Sequence, residues 1–245
     1  YLESPEVVDV LHGNVRSFHA IQVLRKICNH PDLLKKDDDK EDDADEDEGK
    51  DAFGAPEKSG KLQVVRDLLP VWKQQGHRVL LFSQWKLILD ILEDVMCLEG
   101  HRYLRLDGST AVAERQTMID AYNNSDDYFV FLLTSRAGGM GINLTGADTV
   151  ILHDLDFNPS IDRQAEDRAH RIGQTRPVRI IRMITKGTVE ENILRISKRK
   201  VALETSMLEH DDDDGDVDVG TLLEDAFKKI DNASAAVFDV DTDSD

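Results

Sequence analysis

Between residues 78 and 184 the chain alternates short apolar runs with longer amphipathic segments, and this rhythm restricts its fold more than any other feature. Arg78-Val-Leu-Leu-Phe-Ser83 and Tyr128-Phe-Val-Phe-Leu-Leu133 are apolar at consecutive positions, not at alternate ones. Strands of that kind have to be covered on both faces, which is the condition of a parallel sheet wrapped by helices. Further strands are expected at 102–106, 148–153 and 178–184. Helices are expected between them at 85–98, 111–123 behind a Ser109-Thr110 cap, 160–172 and 188–207. The expected class is therefore α/β. Upstream, Val15, Phe18, Ile21, Val23, Leu24 and Ile27 recur at helical spacing until Asn29-His30-Pro31 stops the helix. Ser59 is placed to cap a second helix from Lys61 to about Gln75, with Leu62, Val65, Leu68 and Leu69 inward and Gly76 closing it.

Charge divides the chain more sharply than hydrophobicity does. The formal net charge is −19, but residues 37–51 hold 11 acids and 2 lysines and residues 209–245 hold 14 acids and 2 lysines, leaving the remainder at about +2. Both acidic stretches have too little to bury and are expected to be disordered. A nearly neutral body with local Arg and Lys clusters is compatible with a nucleic-acid backbone, whereas a uniformly acidic one would be repelled. Only Cys28 and Cys97 are present, which argues against a disulfide framework and for a reducing compartment. No zinc spacing and no run of about 20 apolar residues occurs, so neither a metal site nor a membrane span is expected. The chain opens at Tyr1 without Met, and we expect a piece of a longer protein.

In parallel sheets ligands sit beyond the carboxyl ends of the strands, where Ser83, Asp107 to Thr110, Thr134 to Gly141 and Asp154 to Asn158 fall. Thr134-Ser-Arg-Ala-Gly-Gly-Met-Gly141 offers hydroxyls, Arg136 and three glycines directly after a buried strand. Glycine removes the side chain that would keep backbone N–H groups from a phosphate, although the third glycine of a dinucleotide fingerprint is missing. Asn158-Pro159 supplies a cap and first-turn proline for a helix in which Gln164, Arg168 and Arg171 would share one face at i, i+4 and i+7. Guanidinium forks grip phosphate oxygens and keep their charge. The competing reading, a solvated face laced by Asp162, Glu166 and Asp167, loses weight because the glycine loop lies only one strand away. His170 has no nucleophile or metal constellation around it and is taken as a packing or orienting residue.

Trp85 reads as a core or rim residue more readily than as a base-stacking platform. Arg102 and Arg105 suit a phosphate backbone or plain solvent equally well. Gly54 to Lys61 is no phosphate loop: its spacing is one residue too long and Leu62 stands where Ser or Thr is required. Nor is Asp47-Glu48 a metal-holding acid pair, since no apolar strand precedes it.

Leu24-Arg-Lys-Ile-Cys-Asn-His-Pro31, Ser59-Gly-Lys-Leu62, Val79-Leu-Leu-Phe-Ser-Gln84, Leu106-Asp-Gly-Ser-Thr110, the 134–148 loop and Gln164-Ala-Glu-Asp-Arg-Ala-His-Arg-Ile-Gly-Gln174 together resemble the second RecA-like lobe of Swi/Snf-type ATPases, within helicase superfamily two. Residues up to about 85 resemble Cockayne syndrome B-type repair ATPases. Ile151 to Pro159 and the last helix are closer to Etl-type remodellers.

The resemblance implies a helical lead-in at 1–36, an acidic disordered insertion at 37–58, a RecA-like lobe at 59–186, a brace helix at 187–208 that packs back on the lobes and an acidic disordered tail at 209–245. It implies a nuclear, ATP-driven translocase on double-stranded DNA in chromatin remodelling or DNA repair. ATP and Mg²⁺ would be held mainly by an N-terminal ATPase lobe of the same protein. Arg168 and Arg171 would be arginine fingers and Gln164 a neighbouring polar contact. Gly139 and Gly141 would couple nucleotide to DNA, and Ser83, Thr110, Thr134 and Arg136 would meet the DNA backbone. Nucleosomes or histones are further expected partners, the latter through the acidic tail. Two other readings stand beside this one. The first is a non-catalytic chromatin-binding scaffold, separated by whether Gly-x-x-x-x-Gly-Lys-Thr occurs upstream; the second is a self-contained nucleotide-binding enzyme, which tight ATP binding by the chain alone would favour.

Overall fold

The computed structural model describes residues 17–35, 52–138 and 141–207, in two compact units, residues 29–184 and residues 1–28 with 185–245. The acidic run at 37–51, the tail at 209–245 and Gly139 lie outside the described residues.

The larger unit is built on five parallel strands, β1 (Val79–Ser83), β2 (Tyr103–Leu106), β3 (Val130–Thr134), β4 (Thr149–Leu152) and β5 (Arg179–Arg182), in the order β2-β3-β1-β4-β5. Every pairing is parallel. The consecutive apolar residues of β1 and β3 sit at the sheet centre, and Val79 to Phe82 and Val130 to Leu133 are all completely buried. Alternate residues serve opposite faces. Val79, Leu81, Val130, Leu132 and Ile151 share a cluster with Leu62, Val65, Leu69 and Trp72 and with Ile88, Leu89, Leu92, Val95 and Met96.

The first set comes from the second helix. In chain order the helices are α1 (Ser17–Asn29), α2 (Gly60–Gln74), α3 (Lys86–Leu98), α4 (Val112–Asn124), the single turn α5 (Ser135–Gly138), α6 (Pro159–Glu166) and α7 (Val189–Met207). On the sheet side served by Phe131, the ring of Tyr122 from α4 lies 5.1 Å from the Phe131 ring, and its hydroxyl donates to the Val79 carbonyl at 3.1 Å. Burying each such side chain contributes roughly 1.5–3 kcal/mol, so this sheet needs helices on both sides.

Two expected caps are present. Ser59 accepts from the Leu62 amide at 3.3 Å, and Asn158 accepts from the Ser160 amide at 3.1 Å ahead of Pro159. The Ser109-Thr110 cap is not made. α4 begins after Ala111 with no side-chain cap, because both hydroxyl residues turn back on Asp107: the Ser109 amide donates to its carboxylate at 2.7 Å, and Thr110 Oγ1 accepts from its amide at 3.1 Å.

Residues 52–58 correct the expected insertion boundary at 58. They are ordered, since the Gly54 amide and Lys58 Nζ both reach the buried Asp32 carboxylate at 2.8 and 3.1 Å. His30 lies 3.1 Å from the Ala55 carbonyl through Nε2 while its Nδ1 accepts from the Asp32 amide, and burial holds its pKa below the ordinary value. Residues 29–35 therefore belong to the lobe and not to a lead-in.

The largest departure concerns α6. Six residues of the expected 160–172 helix are absent, because α6 stops at Glu166 and its last bonds tighten to i→i−3, Arg168 N to Ala165 O and Ala169 N to Glu166 O. The Arg168 carbonyl accepts instead from the Leu144 amide at 3.0 Å. A loop from elsewhere in the sequence thus takes the acceptor that a longer helix would have used.

In the smaller unit α1 buries Ala20, Ile21 and Val23, and α7 buries Val189, Ile193 and Ile196 while Arg195, Lys198, Arg199 and Lys200 stay exposed. Thr185 Oγ1 donates to the Cys28 carbonyl at 3.3 Å. No helix among the described residues is long and apolar enough to cross a membrane.

Candidate functional site: an arginine turn against a glycine loop

The strand order sends the connection after β1 toward β2 and the connection after β4 toward β5, opening a crevice at the carboxyl ends of these neighbours. Ser83 and Thr134 are register partners at this edge. Ser83 is completely buried, its hydroxyl donating to Asp154 at 2.5 Å while the Gln84 amide donates to the same carboxylate at 3.0 Å. The expected DNA-contacting hydroxyl of Ser83 is therefore turned inward, because a buried carboxylate needs donors. Trp85 is half-buried against the core cluster, a rim residue. Thr134 is half-buried and accepts from the Ala137 amide at 3.3 Å, starting the short α5 that leaves Arg136 exposed. Thr110, half-buried, is held by Asp107 as described.

After residue 140 the glycine loop turns beneath the arginines. Gly141 takes a left-handed φ of 72°, which a side chain would strain. Its carbonyl accepts from Arg171 Nη1 at 3.0 Å, and the neighbouring Ile142 carbonyl lies 3.5 Å from Arg168 Nη1. Arg168 is 4% exposed, whereas Arg171 is exposed. Burial, with Arg171 beside it, pushes the Arg168 pKa downward. A buried guanidinium whose charge is disfavoured by a second cation beside it marks a place where an anion is favoured.

The expected single stripe of Gln164, Arg168 and Arg171 is not formed. Gln164 is exposed on α6, Arg168 follows its cap, and Arg171 opens a turn in which the Gln174 amide donates to the Arg171 carbonyl at 3.0 Å and Gly173 has φ +104°. Ile172 projects from the tip of that turn, entirely exposed, and not toward the buried Ala165 and Ala169. His170 is exposed as well.

Beyond the arginines the edge is acidic. Asp162 is 7% exposed, accepts from the Asp156 amide at 3.2 Å, and is pushed up to about 7 by burial and by Asp156, Asp154 and Glu166. Glu166 is paired with Arg182. The basic residues expected beside β2 behave differently from one another. Arg105 is tied to Asp90, Glu93 and Asp107 at 2.6, 2.5 and 2.9 Å, so it is not available to a phosphate backbone; Arg102 is exposed and meets Asp127 at 3.2 Å.

Three residues with no site role in the sequence reading organise the two ends of the sheet. Asp154 gathers Ser83 and Gln84. Lys61, buried on α2, joins Asn29 Oδ1 at 3.0 Å to the His153 carbonyl at 2.8 Å, while Ser59 Oγ donates to the Asn29 carbonyl at 2.6 Å. The Asn29-His-Pro31 and Ser59-Gly-Lys-Leu62 motifs, separated by the acidic run, thus meet below the end of β4. At the amino ends of β1 and β4, Asp148 accepts from the Arg78 amide at 3.0 Å, His77 at 3.0 Å and Arg176 at 3.1 Å, and Asp154, Lys61 and Asp148 signal themselves only as polar residues inside or beside apolar patterns.

Residues 60–173 match the helicase conserved C-terminal domain. The chain is 50% identical over 193 residues to protein CHROMATIN REMODELING 8 of Arabidopsis thaliana, covering 79% of this chain and 16% of that protein. It is 47% identical over 202 residues to human DNA excision repair protein ERCC-6, covering 79% and 13%. It is 52% identical over 168 residues to the human SWI/SNF-related matrix-associated actin-dependent regulator of chromatin subfamily A containing DEAD/H box 1, covering 67% and 16%. The chain spans only these small shares of the curated relatives' lengths. Its fold is similar to the crystal structure of the C-terminal part of the Fun30 ATPase domain, with TM-score 0.60, 38% identity and coverage of 74% of this chain and 56% of that one. With a RecA-like parallel sheet, the ordered motifs and these relatives in agreement, the chain belongs to the Swi/Snf-type ATPases of helicase superfamily two, as their C-terminal RecA-like lobe.

Proposed function

We propose that this chain is the C-terminal motor lobe of an ATP-dependent double-stranded DNA translocase acting on chromatin or in DNA repair in the nucleus. The observation that carries the reading is the pair Arg168 and Arg171 against the glycine loop, with Arg171 exposed and its guanidinium held by a carbonyl oxygen instead of a carboxylate. Such a group keeps its charge for a phosphate. ATP with Mg²⁺ sits chiefly on a partner N-terminal lobe of the same protein, and the fingers enter that site when the lobes close. Arg171 stabilises the transferring phosphoryl group; Arg168, more buried, supports it and the 141–144 backbone. Gln164 and Gly141 flank the nucleotide, while Thr110, Thr134 and Arg136 lie toward the DNA backbone. Ser83 acts through Asp154, shaping the edge, and not by direct contact. Gly139 is assigned with Gly141 by the shared motif alone. Histones are a further proposed partner.

The test is Arg171→Ala in the complete protein. DNA-stimulated ATP hydrolysis is expected to fall by about 10³-fold or more, and near-normal turnover refutes the finger role; no DNA-stimulated hydrolysis by the unsubstituted protein would favour the scaffold. DNA affinity of this lobe alone is expected to be weak and to drop steeply between about 50 and 200 mM salt. Indifference to salt contradicts backbone contacts.

A further inference from the structure

We infer that Gln174 is a positioning residue that fixes the Arg171 turn to the rigid far limb of the glycine loop, and so sets where the finger stands. The inference rests on the proposed function of Arg171. Gln174 Nε2 points at three backbone carbonyls, Thr145 at 3.2 Å, Ala147 at 2.6 Å and Ala169 at 3.1 Å, and Gln174 Oε1 accepts from the Arg176 amide at 2.9 Å. Its own backbone amide closes the turn on the Arg171 carbonyl at 3.0 Å. One side chain therefore joins Ala169 behind α6, the finger turn and the end of the loop.

The limb it grips is itself immobilised. Asn123 at the end of α4 accepts from the Gly146 amide at 3.0 Å and donates to the Asn143 carbonyl at 2.8 Å, and Arg176 Nη2 donates to the Gly146 carbonyl at 2.8 Å. A Cβ on Gly146 would lie 3.0 Å from Arg78 Nη1, 3.1 Å from the Tyr122 carbonyl oxygen and 3.2 Å from Asn123 Cα, so this limb has almost no freedom. Gly141, at the other end of the same loop, has open space around it and contacts Arg171 directly. The loop is thus rigid where Gln174 holds it and free where it touches the finger. A group that misplaces catalytic atoms by about 1 Å can cost roughly 10²-fold in rate, so the amide that sets this registration is felt in turnover.

Gln174→Glu keeps the size of the side chain and removes both N–H donors, leaving a carboxylate facing carbonyl oxygens. In the complete protein with saturating DNA, we expect kcat to fall about 10- to 100-fold, with KM for ATP and affinity for ADP within about twofold of the parent. Affinity for ADP with aluminium fluoride, which mimics the transferring phosphoryl group, falls in step with kcat. If the glutamate variant does not fold, Gln174→Met, uncharged and of similar length, takes its place. Unchanged turnover overturns the inference, and so does an equal loss of ADP and ADP–aluminium fluoride binding, which marks a general structural defect. Arg171→Ala measured alongside separates the two ideas: if it too turns over normally, the finger role fails first, and if it alone is crippled, only the role of Gln174 falls.

Discussion

Two arginines of this lobe have opposite fates. Arg105 on β2 is enclosed by Asp90, Glu93 and Asp107, while Arg171 leans on a single backbone carbonyl. The first is electrically spent: burial works against its charge, but its carboxylate partners raise its pKa, and Asp107 in turn is drawn down to about 2 by Ser109 and Arg105 against the opposing effect of burial. The second retains its charge for something that the lobe does not supply. What leaves Arg171 available for the proposed role is that, among the described residues, no acid neutralises it.

The sharpest way to break this contrast is to keep the charge and remove the fork. Arg171→Lys should lose about 10²-fold or more in hydrolysis by the complete protein, because an ammonium cannot bind phosphate oxygens bidentately. Recovery of most of the activity with lysine would mean that bare charge suffices.

The acidic residues beyond the arginines offer a second test. With Asp162 raised to about 7, the folded lobe retains a proton that the unfolded chain releases from about pH 4 upward. Stability is therefore highest below that window, falls as pH rises toward 7 and stays low above it. Asp162→Asn keeps an acceptor for the Asp156 amide and should stabilise the lobe by roughly 2 kcal/mol at pH 8, with the gain vanishing near pH 4. A gain independent of pH would deny the buried carboxylate its role.

Arg105→Ala should cost about 1–2 kcal/mol in chemical denaturation by leaving three acids without their partner, discounted because Asp90 is partly solvated. Hydrolysis by the complete protein should change little. A large catalytic defect would erase the distinction between the two arginines.

The smallest effect belongs to Ile172. Being wholly exposed, Ile172→Ser should alter the stability of this lobe by less than about 0.5 kcal/mol. Its cost should emerge only in the complete protein, as weaker closure over nucleotide. A marked loss of stability in the isolated lobe would place the side chain in a packed environment instead.

The strands, the order of elements and the two caps at Ser59 and Asn158 were legible because each depends on near neighbours: a run of apolar residues, or an oxygen two or three positions before an amide. The end of α6 was not legible. Asp167 to Gln174 continues a plausible helical pattern, and it is the Leu144 amide, brought from a different loop, that claims the Arg168 carbonyl. For the same reason Gln164 and the two arginines do not share a stripe. Ser83 looked like an available hydroxyl until Asp154, 71 positions away, was folded against it. Arg105, equally ambiguous in one dimension, was decided by two acids on α3 and one just beyond its own strand.

Sequence alone determined the kind of object this is: buried parallel strands need helices on both faces, and six ordered motifs match one family. Tertiary structure alone decided which polar groups keep their charge or hydrogen-bonding capacity for another molecule. Covering a strand is a property of consecutive residues, whereas neutralising a guanidinium or occupying a hydroxyl depends on which distant donor or acceptor arrives within about 3 Å, and no local pattern encodes that distance.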